Sequence, residues 1–144
     1  MAFAITRTNC SHREAFQRQL QSLRLEQAEA LFNVQFHSAM RELKSCSSIR
    51  DLMKRTAERD ADGRLLFVVT FDFGYKEDAD LGQVRRDIRS SLFPIHALEQ
   101  NTRIPGWNWT IANELTFAER TRAGTLVIRA EYREQRYGSR AGQK

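Results

Sequence analysis

The amino-acid sequence predicts an α+β fold of two layers, with N-terminal helices and one later helix packed on a small, largely antiparallel sheet. Three observations carry that expectation. Apolar residues recur every three or four positions over residues 16–43, and every second position over 64–75. The second pattern returns on both sides of a polar turn at 119–124, as a hairpin requires. The expected order is α-α-β-α-β-β in one domain spanning 1–144, with an arm at 1–10 and a polar tail at 138–144.

The first helix is expected to start at Ser11, whose hydroxyl can take the N–H three residues on while Glu14 reaches back. Phe16, Leu20 and Leu23, then Leu25, Ala28, Phe32, Phe36, Ala39 and Leu43, make an apolar face broad enough to need cover on more than one side. Ser45, Cys46, Ser47 and Ser48 interrupt it. Ser48 with Asp51 reads as a second cap ahead of Ile49, Leu52, Met53 and Ala57, so a short second helix is expected there. Asp62-Gly63 supplies the next turn.

In the strand that follows, Phe67, Val69, Phe71, Phe73 and Tyr75 share one face, and Leu66, Val68, Thr70 and Asp72 share the other. It is read as central, buried on both faces at its start and wet on one at its end. Asp80 with Gln83 caps a helix carrying Leu81, Val84, Ile88 and Leu92, which Pro94 stops. A connector with one helical turn near Ala97 and Leu98 leads to the hairpin. There Trp107, Trp109, Ile111, Leu115 and Phe117 face one way, and Leu126, Ile128, Ala130 and Tyr132 rebuild the alternation on the return. Three strands leave two edges, one of them expected to open to a neighbouring subunit.

A chain of 144 residues that is 41% hydrophobic and 28% charged is neither disordered nor collagen-like. Its net charge is +5, and 19 of its 23 basic residues are Arg, whose planar fork suits carboxylates and phosphates. Cys10 and Cys46 stand in no metal-ligand spacing, which fits a reducing compartment and leaves their pairing open. The start is too soon polar for a signal peptide, and no run of 18 apolar residues occurs, so cytoplasmic synthesis without a membrane is expected.

His12, His37 and His96 belong to no nucleophile–base motif, and Cys10 with His12 supplies only two donors. Asp72, Asp78 and Asp80 could hold a nuclease metal, but Asp78 and Asp80 are already accounted for by a helix start. Neither glycine-rich phosphate motif is present. The expectation is therefore no catalytic residue, no cofactor and no metal.

The candidate partner contacts are Arg85, Arg86 and Arg89 on one helix side and Arg120 and Arg122 at the hairpin turn, with Arg133, Arg136 and Arg140 nearby in sequence. Trp107 and Trp109 are expected to be structural anchors beneath the N-terminal helices, with a subunit contact as the other use of two indoles on one face. Strand 65–75, helix 79–92, the irregular stretch through Ile104-Pro105 and hairpin 107–133 together resemble the strand, helix, hairpin order of phage tail terminator proteins, over about half the chain. The resemblance implies a ring of subunits that ends tail-tube growth and docks the tail to the head, and hence a place in the virion. That family usually has a strand pair after one helix, and the helical reading of 11–59 departs from it. The functional expectation is a non-enzymatic structural or assembly protein that forms a homo-oligomer through a sheet edge and its Arg-rich surfaces. The alternatives are a small basic nucleic-acid-binding regulator and an inhibitor that masks a host protein surface.

Overall fold

One continuous helix, α1 (Ala2–Lys44), opens the chain in the computed structural model, which describes residues 2–101 and 104–135. The helix passes straight through Ser11 and Glu14, so the expected start there is not one, and residues 2–10 are helix where an arm was expected. Amides inside a helix already bond the carbonyls four residues back and need no cap. The tail at 138–144, Arg136, Arg140 and the side chain of Cys10 lie outside the described residues.

The expected second helix is a strand. Residues 49–60 form β1 (Ile49–Asp60), paired antiparallel with β2 (Leu65–Tyr75). Local spacing over 49–57 fits a helix as well as a strand, and long-range pairing decides it. The Asp62-Gly63 turn folds β1 back on β2: Gly63 takes φ +72°, and the Asp60 carboxylate accepts the Asp62 N–H at 3.1 Å. The Ser48 hydroxyl caps nothing and instead bonds the Asp87 carboxylate.

The sheet has four strands where three were expected. With β3 (Trp107–Ala118) and β4 (Ala123–Glu134), its order is β1-β2-β4-β3, antiparallel throughout. β2 is an inner strand, and its burial alternates from Leu65 to Phe73 and then runs on through Gly74 and Tyr75, so it ends, and does not start, buried on both faces. Between the hairpins lie α2 (Leu81–Ser91), the single turn α3 (Phe93–His96) and a 3-10 turn at 97–100. Pro94 falls in the first turn of α3, where its missing N–H costs no hydrogen bond. The architecture is α+β, helices on one face of an antiparallel sheet. No helix among the described residues is long and apolar enough to cross a membrane.

The core forms where α1 crosses the middle of the sheet. Leu25, Ala28, Phe32, Ala39 and Leu43 of α1 meet Phe67, Val69 and Phe71 of β2 and Leu126, Ile128 and Tyr132 of β4. The rings of Phe32 and Phe67 stack with centroids 4.1 Å apart. Phe16, Leu20 and Leu23 do not join this face; they are 59%, 42% and 52% exposed. The step from Leu23 to Leu25 turns the helix by about 200°, so the earlier group points away from the sheet. Gln21 donates to the Gly63 carbonyl at 3.2 Å, which places the residues before it past the end of the β1–β2 hairpin.

The remaining helical turns gather over β3. Glu99 accepts the Ile111 N–H at 3.0 Å, His96 is hydrogen-bonded to Asn113 at 2.6 Å, and the Arg85 guanidinium lies 4.8 Å from the Phe117 ring centre. Little is left to cover β1, in which only Ile49 is buried and Leu52 half-buried. The opposite face of the sheet is open and carries ion pairs, Arg55 with Asp72 and Arg64 with Glu131 and Asp60.

Candidate functional site

The arginines of α2 point outward because Val84 and Ile88 point in. Asp80 caps the helix by accepting the Gln83 N–H at 2.8 Å, and Arg85, Arg86 and Arg89 then emerge exposed. Arg120 and Arg122 sit in the β3–β4 turn, where Arg122 adopts φ 49° and its carbonyl accepts the Tyr75 N–H at 3.0 Å. The rings of Phe117 and Tyr75 meet edge to face at 6.0 Å, so Arg85, stacked on Phe117, and Arg122 share one end of the sheet. Among the described residues no hydrogen bond or ion pair joins Arg86, Arg89 or Arg120 to that pair. Arg122 reaches the Glu77 carboxylate at 3.8 Å, and Asp78, Asp80 and Glu119 stand on the same loops, so the field at this end is mixed.

Both indoles are in the core. Trp107 and Trp109 are 4% and 5% exposed and pack on Tyr132 at 5.3 and 5.1 Å, while Trp109 also meets Phe32 at 5.9 Å. Arg24 of α1 covers Trp107 at 5.1 Å. Burial pushes the Tyr132 hydroxyl above its usual pKa, and the nearby Arg24 charge offsets part of that rise.

The residues considered for chemistry are scattered. His12 and His37 are exposed on α1, Asp80 is a helix cap, and Asp72 lies on the open sheet face with Arg55. Cys46 is a free thiol 3.1 Å from the Ser91 hydroxyl; burial pushes its pKa up, and the Ser91 hydrogen bond pulls it partly back. Among the described residues no three His, Cys, Asp or Glu side chains gather at metal-binding range.

Two surfaces escaped the sequence pattern. One is a line on the outer side of α1: Phe16, Leu20, Leu23, Gln27, Ala30 and Val34, spaced alternately four and three apart, as in a coiled-coil seam, and exposed throughout. Its signal was present in the sequence as the two-residue phase jump after Leu23. The other is a groove of about 440 Å³ between α1 and β1, lined by Phe36, His37, Met40, Arg41, Lys44, Leu52, Lys54 and Phe71. A narrower part of about 210 Å³ continues it past Phe32 and Ala57. The Arg59–Glu29 ion pair, with bonds of 2.6 and 2.7 Å, bridges helix and strand beside that narrower part. This groove could not be read while 49–57 passed for a helix, although Asp62-Gly63 directly before β2 was a hairpin signal.

The chain matches no protein-family model, no curated protein and no solved structure.

Proposed function

We propose that this chain is a non-enzymatic assembly subunit that acts through protein–protein contacts between its own copies, in the manner of phage tail terminator and head–tail joining proteins. The observation that carries the reading is the outward line of α1. Phe16, Leu20 and Leu23 face away from the sheet, and a contiguous exposed apolar line of this kind suits cover by another molecule. Burying each such side chain contributes about 1.5–3 kcal/mol. The spacing of four and three suits a second helix of the same kind, and Gln27 in mid-line suits a fixed alignment. The chain order of helix, hairpin, helix and hairpin, with a strand pair after one helix, adds support from the resemblance. The support thus comes from α1 more than from the arginines.

Native mass spectrometry tests the reading. The expected result is one discrete multiple of the chain mass, reduced to a single chain by Phe16→Glu, Leu20→Glu and Leu23→Glu together. A single-chain mass for the unaltered protein at high micromolar concentration overturns it.

A further inference from the structure

We infer that the groove between α1 and β1 is a docking site for a peptide segment of a partner protein that presents apolar side chains flanked by Asp or Glu. The floor is apolar, made by Phe36, Met40, Leu52 and Phe71, and the rim is cationic, made by Arg41 and Lys44 of α1 and Lys54 of β1 with His37 beside them. No acidic residue lines this wider part; Glu58 borders only the narrower end. Among the described residues Arg41, Lys44 and Lys54 belong to no ion pair, whereas Arg50, Arg55 and Arg59 of β1 all do. Three unneutralised cations around an apolar trough attract an occupant of opposite charge that also brings apolar anchors. Residues 32–44 of α1 span about 18 Å, room for roughly three helical turns or a short extended segment.

Other occupants fit less well. The outward line of α1 on a second copy has Arg13 on one flank and Glu26 on the other, so it brings no acidic excess to the cationic rim. The C-terminal tail from Gly138 carries Arg140 and Lys144 and no acid. Nucleic acid would meet the cations with its phosphates but leave the apolar floor of Phe36, Met40, Leu52 and Phe71 without an apolar partner. A membrane surface is flat, and this trough is recessed between two walls. The inference does not rest on assembly through Phe16, Leu20 and Leu23, since the groove begins at Phe36, about 20 Å further along α1.

Fluorescence anisotropy with two labelled synthetic peptides tests it: one with leucines at helical spacing and Glu between them, the other with Lys in place of every Glu. The Glu peptide should bind saturably and weaken as salt rises, and the Lys peptide should not bind. Arg41→Glu with Lys54→Glu, both exposed, should weaken the Glu peptide by about tenfold or more and admit the Lys peptide, with an unchanged melting midpoint. Equal binding of the two peptides, binding of neither, or indifference to the charge reversal overturns the inference. So does reversal-sensitive binding of phosphatidylglycerol vesicles without peptide binding. Self-association lost on reversal while the Glu peptide stays unbound also overturns it, by putting a second copy in the groove.

Discussion

Gly124 stands on the covered side of β4, opposite Phe117 on one neighbouring strand and Phe73 on the other. The two rings meet at 89° with centroids 6.0 Å apart, over a backbone that carries no side chain. A Cβ at Gly124 would stand 2.5 Å from the Phe73 ring and 2.6 Å from the Thr116 carbonyl, and the carbonyl cannot yield. Gly124→Ala should therefore destabilise the fold by about 1–3 kcal/mol in urea titration, a cost of overpacking. The carboxylates give a second outcome. Glu29, Asp60 and Asp72 are held below their usual pKa chiefly by side-chain hydrogen bonds from Arg59, Arg64 and Arg55 respectively. A pKa lowered on folding contributes stability above the unfolded value, near 4, that is lost as pH falls through the lower folded value. The urea midpoint should stay level from neutral pH to about 5 and drop below about 4, with Asp72→Asn removing part of that drop. At this scale the Asp80 cap was legible because cap and amide are three residues apart. The role of Gly124 was not, because it depends on which residues two neighbouring strands place opposite it.

Elements were legible where periodicity was unambiguous and illegible where partners decide. β2, β3, β4 and α2 follow from spacing alone, since each buries a regular face. β1 does not: eight consecutive exposed residues, 53–60, leave no alternation to read. Its register also shifts between Lys54 and Thr56, a bulge that carries Arg55 to Asp72 on the open face. For α1 the period was clear but the phase jump after Leu23 was read as breadth. Among the described residues no core side chain precedes Leu25. In a chain kept single by Leu20→Glu with Leu23→Glu, removing residues 1–19 should therefore leave the thermal midpoint within a few degrees, a change of under about 1 kcal/mol. A large fall would mean that the first half of α1 contributes to the fold of a single chain.

For the whole molecule, the two-layer class was legible because helical and strand periods alternate along the chain, whereas the uneven distribution of cover was not. The helical layer is displaced toward β3 by bonds such as Glu99 to Ile111, which join residues 12 apart through a connector with no period of its own. That displacement leaves the trough beside β1, and the candidate site is thus a product of topology more than of motif. The arginines chosen from sequence are on the surface, and aromatic contacts bring Arg85 of α2 to the end of the sheet where Arg120 and Arg122 form the β3–β4 turn.

Both margins of the sheet are guarded. The outer strand on one side is bulged and charge-laden, and on the other the Glu99 carboxylate takes the Ile111 amide, so each edge is interrupted where a neighbouring strand would pair. Interruptions of this kind disfavour strand-by-strand growth into ribbons at either edge.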